Sequence, residues 1–155
     1  MKQYIGSKIV NAAPEYRCHR PGHVFQYVSV GDIVPAGWEA EDGYRVVYED
    51  GYRSWSPKEV FEAAYRETTG MSFGLALEAV KKGKRVARAG WNGKGMYVFL
   101  ANGVAFFTEA DMSEIDDQEV EVSDLLVLRT AQETFQPGWL ATQSDMLADD
   151  WYIVE

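Results

Sequence analysis

The sequence has one cysteine and two histidines in 155 residues, and this scarcity excludes several kinds of site. The single cysteine, Cys18, excludes an internal disulfide framework and fits a reducing cytoplasm. No histidine or cysteine follows His23, so the rest of the chain lacks the usual general base and the usual soft metal ligands. The serines of the second half therefore have no histidine in that half to activate them, which argues against a Ser-His-Asp hydrolase.

The sequence also lacks a long hydrophobic run, and we expect no signal peptide. No apolar stretch approaches the roughly 18 residues that a membrane-spanning helix needs, and the N-terminus leads straight into strand-like sequence. We therefore predict a soluble, globular, cytoplasmic protein without a membrane partner.

Positive charge is scarce as well, with 15 Lys and Arg against 24 Asp and Glu and a net charge of -9. This balance argues against binding to a long nucleic acid. The acidic excess is concentrated in a run comprising Glu109, Asp111, Glu114, Asp116, Asp117, Glu119, Glu121 and Asp124. The one basic concentration comprises Lys81, Lys82, Lys84, Arg85, Arg88 and Lys94. It favours attraction of a small anion; the alternative is that both runs are solvated faces.

The chain divides near residues 67–70 into a small module, 1–66, and a second domain, 69–155. The module is predicted to be β-rich and closed by one helix. Ser56 and Pro57 are typical of a helix start, and the helix should run to about Arg66 and bury Val60, Phe61 and Ala64. Asp50-Gly51 predicts a hairpin turn. Strands are expected at 4–10, 23–30, 44–48 and 52–55.

The second domain is predicted to be a small antiparallel sheet with one packed helix, which makes the fold class α+β. Ser72 is a suitable cap for the helix, and Gly83 can adopt the conformation that ends it. The corner 90–95, Gly-Trp-Asn-Gly-Lys-Gly, separates two strands. Ser144 is read as the cap of a short helix. Further strands are expected at 104–107, 125–128 and 150–154, with a turn at 136–139.

Two sets of side chains suggest metal ligands, and each has a simpler explanation. Cys18, His19 and His23 lie close in sequence, but zinc usually needs four ligands and no second cluster exists. Asp145, Asp149 and Asp150 are candidate acid-base or magnesium groups, and Asp145 and Asp149 are four residues apart, as a metal-dependent phosphodiesterase could use them. Asp145 equally suits the first turn of a helix, which favours negative charge. We therefore predict neither a metal nor a cofactor.

Large aromatic residues lie at the predicted ends of elements and in turns, where they are less often mere core filling. Aromatic planes stack on nucleobases with roughly 1–3 kcal/mol per base. Amide and hydroxyl groups nearby suit ribose and base edges, and two cations suit phosphates. Together they favour a pocket for a small nucleotide over core and surface positions. The aromatic residues are Phe73, Trp91, Tyr97, Trp139 and Trp151; the polar ones are Asn92, Gln143 and Ser144; the cations are Arg88 and Lys94.

The segments MSFGLALEAVKKGKRVARAGWNGKGMYVFL and LLVLRTAQETFQPGWLATQSDMLADDW, within residues 71–155, also resemble a known family. They are similar to the second class of Thoeris anti-defence proteins of phages and prophages. The resemblance implies a cytoplasmic homo-oligomer, a dimer or tetramer, that sequesters a cyclic ADP-ribose-type immune messenger without cleaving it. Some members also bind cyclic dinucleotides. The matching positions are Phe73, Trp91, Asn92, Trp139, Gln143, Ser144 and Asp145.

Other functions remain open beside this non-enzymatic one. A metal-dependent hydrolase or lyase of the same messenger would use Asp145 and Asp149. A phage protein–protein adaptor would use Trp91 and Trp139 as anchors. The first 66 residues lie outside the resemblance and look like an accessory module at the front of many phage proteins, a likeness that implies no particular activity.

Overall fold

The computed structural model describes residues 7–102 and 123–155. The chain divides into two compact units, one ending at Arg66 and the other beginning at Glu67. Among the described residues, no helix has the length and apolarity needed to cross a membrane. The fold is α+β, with an antiparallel sheet in each unit and few helices, which confirms the predicted fold class.

From residue 7 onward, the first unit is a four-stranded antiparallel sheet followed by a helix, with the strand order β2-β1-β3-β4. Helix α1 packs on β3 and β4. The elements are β1 (Asn11–His19), β2 (Gln26–Ser29), β3 (Glu39–Val47), β4 (Arg53–Pro57) and α1 (Lys58–Ala64).

The first strand differs from its prediction. Residues 7–10 form no strand, and residues 4–6 lie outside the described part. Strand β1 instead begins at Asn11 and pairs with β3 over its full length, although it contains Pro14. It was missed because Pro14 and the charged residues of this segment argue against a strand, whereas pairing across the sheet decides it.

The hairpin between β3 and β4 is confirmed. Gly51 has a φ of +83°, and the Tyr48 N–H donates to the Tyr52 carbonyl at 2.9 Å. The predicted start of α1 is wrong, since Ser56 is part of β4 and pairs with β3, and the helix begins at Lys58. The helix buries no residue, and Val60 is 60% exposed. Strand pairing therefore overrides the local capping signal.

The proposed zinc ligands do not converge. Cys18 is fully buried, while its strand neighbour His19 pairs with Glu39 at 3.1 Å, and successive side chains of a strand point to opposite faces. His23 lies exposed in the following loop. The described residues contain no group of three or more His, Cys, Asp or Glu side chains that could hold a metal.

In the described parts of the second unit, 67–102 and 123–155, the strands form a five-stranded antiparallel sheet with the order β8-β7-β6-β5-β9. One face of this sheet packs against helix α2. The elements are α2 (Phe73–Lys81), β5 (Arg85–Arg88), β6 (Tyr97–Ala101), β7 (Leu125–Arg129), β8 (Phe135–Pro137), α3 (Gln143–Met146) and β9 (Trp151–Val154).

Helix α2 follows its local signals. Ser72 occupies the N-cap position, although its side chain makes no capping bond. Gly83 follows the helix with a φ of +78°, and its N–H donates to the Val80 carbonyl at 2.9 Å. The buried face of the helix packs against strands β5, β6 and β9. The core formed there contains Ala76, Ala79, Val80, Val86, Val98 and Leu128.

The second unit differs from its sequence predictions at one turn and at one helix cap. The strand at 104–107 and the acidic run up to Glu121 lie outside the described residues. Gln136 and Pro137 pair in β8, and the turn comes only afterwards, at Gly138 with a φ of +75°. Ser144 is not the cap of α3, because Thr142 occupies that position and accepts from the Asp145 N–H at 3.2 Å.

Candidate functional site

Three tryptophan side chains of the second unit form one cluster. The ring centroids of Trp91 lie 6.1 Å from Trp139 and 5.4 Å from Trp151, and those of Trp139 and Trp151 are 6.3 Å apart. All three pairs are edge-to-face, a favourable arrangement for aromatic rings. Phe73 joins the cluster at 5.6 Å from Trp151. We call these four residues the indole cluster.

One of the three indoles is fully buried, and the other two are half-buried. Trp151 begins the edge strand β9 and is fully buried, and its Nε1–H donates to the Asp145 carbonyl at 2.9 Å. Trp91 follows β5 in the Gly-rich corner, and Trp139 follows β8; both are half-buried. The buried indole therefore supports two that retain contact with solvent.

A small apolar hollow of about 10 Å³ lies against this cluster. Its walls are formed by Phe73, Ala76, Leu77, Val80, Val86, Val98, Leu126, Trp139 and Trp151. A single water molecule needs about 10–15 Å³ of such space. The hollow is therefore a gap in the packing of the core and cannot by itself hold a ligand.

Asp145 joins the short helix α3 to the cluster. Its carboxylate closes a capping box with Thr142, accepting from the Thr142 N–H at 3.0 Å and from its Oγ1 at 2.7 Å. The other carboxylate oxygen accepts from Trp91 Nε1 at 3.0 Å and from Arg88 Nη1 at 2.9 Å. One buried carboxylate thus fixes both the helix start and the orientation of the Trp91 indole.

Arg88 lies at the end of β5 and bridges two carboxylates. Its Nε donates to Asp150 Oδ1 at 2.8 Å, in addition to the Nη1 bond to Asp145. Asp150 Oδ2 also accepts from the backbone N–H of Gly90 at 2.7 Å. We call Arg88, Asp145 and Asp150 the arginine clasp.

The pKa values of the clasp follow from these bonds. Burial by itself raises the pKa of the Asp145 carboxyl, but hydrogen bonds from Thr142, Arg88 and Trp91 outweigh burial and lower the pKa to about 2. The hydrogen bond from Arg88 is the main reason that the pKa of Asp150 is lowered. The same bonds raise the pKa of Arg88. At neutral pH all three groups are charged.

The structure brings some of the predicted site residues together. Phe73, Trp91 and Trp139 belong to the indole cluster, and Arg88 and Asp145 belong to the clasp beside it. Of the predicted polar residues, Asn92 and Lys94 are exposed in the Gly-rich corner, and Gln143 and Ser144 are exposed on α3.

Tyr97 lies elsewhere. Its neighbour Val98 faces helix α2, so Tyr97 is on the opposite face of the sheet. There the guanidinium groups of Arg85 and Arg129 lie 5.1 Å and 5.7 Å from its ring centroid. The structure therefore separates Tyr97 from the indole cluster.

The carboxylate pair suggested for a metal also separates. Helix α3 ends at Met146, so Asp149 is not on it, and Asp149 is exposed. Asp145 is buried and already accepts bonds from three side chains. These two carboxylates therefore do not form a shared pair on one helix face.

Two residues of the site were not identified from the sequence. Thr142 was overlooked because the neighbouring Ser144 was read as the cap, yet the spacing Thr142-x-x-Asp145 is close to the capping-box pattern and could have shown it. The role of Gly90 had no such signal. A Cβ there would meet Asp150 Oδ2 at 2.8 Å, which only the folded structure reveals.

Two comparisons with known proteins match the second unit of the chain. The Thoeris anti-defense 2-like domain matches residues 71–154. The protein Thoeris anti-defense 2 of Bacillus phage SP01 is 39% identical over 88 residues, which are 56% of this chain and 97% of that protein. The match begins at Met71 and ends at Val154, so it includes every residue of the indole cluster and the clasp. This chain therefore belongs to the Thoeris anti-defense 2-like family of phage anti-defence proteins.

Proposed function

We propose that this protein acts in anti-defence by binding a cyclic ADP-ribose-type immune messenger and sequestering it without cleavage. The observation that carries the proposal is the pair of half-buried indoles, Trp91 and Trp139, packed edge-to-face at 6.1 Å beside exposed polar side chains. Indole faces stack on a nucleobase whatever its identity. Sequestration requires only such binding groups, held in place before the ligand arrives.

The polar residues around the indoles supply the remaining contacts of this proposal. Asn92, Gln143 and Ser144 carry amide and hydroxyl groups that hydrogen-bond ribose and base edges. Lys94 is exposed in the same corner as Trp91 and supplies positive charge for the pyrophosphate. The proposal thus assigns the base to the aromatic side chains and the sugar and phosphates to the flanking segments.

The state of the clasp carboxylates supports binding without catalysis. Asp145 and Asp150 are ionised, paired with Arg88, and have lowered pKa values. A general base works best with a pKa near the operating pH. These two carboxylates are therefore poorly suited to proton transfer at neutral pH.

We also propose that the protein acts as a homo-oligomer, a dimer or tetramer. The hollow beside the indole cluster is too small for a whole messenger, and a sponge must bury most of its ligand. Leu140 and Leu147, which flank the Thr142–Met146 segment, are 85% and 76% exposed. A second copy placed against this apolar surface would cover it and enclose the ligand.

The proposal is tested by calorimetry of the full chain with a panel of cyclic ADP-ribose isomers and cyclic dinucleotides. We expect tight, stoichiometric binding of a cyclic ADP-ribose isomer. The complex is then heat-denatured and the released compound is examined by mass spectrometry, where we expect its mass to be unchanged. Release of a cleaved product favours a hydrolase or lyase instead, and the absence of binding to every compound rejects sequestration.

A further inference from the structure

We propose that Arg88 is a positioning residue that acts on the messenger through Trp91 and makes no direct contact with its phosphates. This inference rests on the proposed function, because it concerns how the same site is held ready for its ligand. It assigns the arginine clasp to pre-organisation and leaves Lys94 as the cation for the pyrophosphate.

The first argument is the direction in which the Arg88 guanidinium points. Its side chain is only 16% exposed, and Nε and Nη1 donate to two different carboxylates at 2.8 Å and 2.9 Å. Nη1 also lies 3.2 Å from the Ser144 carbonyl. A phosphate would have to displace charge-assisted bonds that are already well formed. The guanidinium is therefore committed to the protein.

The second argument concerns the other hydrogen bonds that the Asp145 and Asp150 carboxylates accept. Asp145 Oδ1 accepts from both Arg88 and the Trp91 indole N–H. Asp150 Oδ2 accepts from the Gly90 N–H, one residue before that tryptophan. Arg88 thus connects, through one carboxylate each, to the side chain of Trp91 and to the backbone that carries it.

The third argument concerns Gly90 itself. A Cβ at this position would meet Asp150 Oδ2 at 2.8 Å and Arg88 Nη2 at 3.3 Å. The absence of a side chain lets the carboxylate reach the backbone. Because a flat ring must be oriented before it can stack, freeing the Trp91 indole reduces affinity even though the indole remains present.

Charge allows positioning to be distinguished from direct contact. Arg88→Gln removes a positive charge, whereas Asp150→Asn removes a negative one from the same clasp. If Arg88 contacts a phosphate directly, the first change weakens binding of the messenger and the second leaves binding unchanged or strengthens it. If Arg88 is a positioning residue, both changes weaken binding, because each breaks the same ion pair.

The experiment uses the full chain carrying Arg88→Gln, Arg88→Lys or Asp150→Asn. The control is Arg85→Gln, which makes the same change of charge as Arg88→Gln but on the other face of the sheet. The probe is the cyclic ADP-ribose isomer that the unmodified protein binds, titrated at low and high salt. The Trp91 indole N–H resonance, assigned by its loss in Trp91→Phe, reports the orientation of the ring without ligand.

We expect Arg88→Gln and Asp150→Asn each to weaken binding about tenfold or more, with the salt dependence unchanged. Both variants should also shift the Trp91 indole resonance. Arg88→Lys should have an intermediate affinity and an intermediate shift, and Arg85→Gln should change neither the affinity nor the resonance. If Arg88→Gln does not fold, Arg88→Lys and Asp150→Asn carry the same comparison.

Unweakened binding by Asp150→Asn, together with a reduced salt dependence in Arg88→Lys or Arg88→Gln, would overturn the proposal in favour of direct phosphate contact. If the unmodified protein binds no compound of the panel, sequestration itself fails. The positioning of Trp91 by the arginine clasp is then tested by the indole resonance alone, and an unshifted resonance in the Arg88 and Asp150 variants rejects that role.

Discussion

The indole N–H of Trp91 donates to Asp145 Oδ1 at 3.0 Å, across 54 positions of the sequence. This bond joins the Gly-rich corner after β5 to the short helix before β9. It places a half-buried ring against a charged and buried carboxylate, so the orientation of the ring depends on the charge of Asp145. The consequences can be measured in stability, in affinity and in pH dependence.

The lowered pKa of Asp145 predicts acid sensitivity of the second unit. Because the pKa falls from its ordinary value near 3.8 to about 2 on folding, the stabilisation is complete above about pH 4. It is lost as the pH falls through about 2. Asp145→Asn should remove about 2 kcal/mol at pH 7 and flatten this acid limb. Denaturation followed by the Trp151 indole resonance measures the effect, and Asp149→Asn, at an exposed position, should leave the curve unchanged.

Replacement of Trp91 separates the ring from its hydrogen bond. Trp91→Ala should abolish capture of the messenger while the unit remains folded, with a loss of stability of about 2 kcal/mol because the ring is only half-buried. Trp91→Phe keeps an aromatic face and loses the N–H, so affinity should fall without disappearing. Calorimetry with the cyclic ADP-ribose panel measures both.

Tyr97→Phe is the control for these variants, because Tyr97 lies on the other face of the sheet. Wild-type affinity is expected for it. Unchanged affinity in folded Trp91→Ala would show that the indole cluster is not part of the binding site. A large loss of affinity in Tyr97→Phe would show that the ligand is bound on the face of the sheet opposite the indole cluster.

The capping box of α3 predicts different effects for two neighbouring hydroxyl residues. Thr142→Ala removes the acceptor of the Asp145 N–H and the donor to its Oδ2, so the second unit should lose about 1–2 kcal/mol. Ser144→Ala should change stability by less than about 0.5 kcal/mol, because Ser144 is an exposed residue within the helix. Equal losses in both would contradict Thr142 as the cap. Urea denaturation of each variant tests this.

Among the described glycines of the first unit, Gly43 leaves the least room for an added methyl group. A Cβ there would come closer than 3.0 Å to the Trp55 ring and to the Ser56 carbonyl. The Trp55 indole is itself held by a bond from Nε1 to the Glu15 carbonyl at 3.1 Å. Gly43→Ala should therefore destabilise the unit by about 1–3 kcal/mol.

The control is Gly70→Ala in the second unit, where the nearest atom would be 3.9 Å away and no such crowding arises. Thermal unfolding compares each variant with the unmodified protein, followed by the Trp55 indole resonance for Gly43→Ala and by the Trp151 indole resonance for Gly70→Ala. A Gly43→Ala protein with an unshifted midpoint would show that the sheet yields more easily than its close packing indicates.

The sequence predicted the parts of the fold that depend on neighbouring residues. The end of α2 at Gly83 and the hairpin at Gly51 both follow from backbone conformations that glycine adopts readily. It failed for β1, where pairing with β3 overcomes Pro14, and for the start of α1, where β4 takes Ser56 into the sheet. Each failure is a case in which distant strand pairing outweighs a local signal.

The candidate site shows the same division. The sequence by itself determined the inventory: aromatic residues in glycine-rich corners, few histidines and cysteines, and the residues that carry the family resemblance. Only the tertiary structure decided that Arg88 contacts Asp145 and Asp150, which lie 57 and 62 positions away, and that Tyr97 faces the other side of the sheet. The physical reason is that sheet register sets such contacts, and register is determined by the whole core.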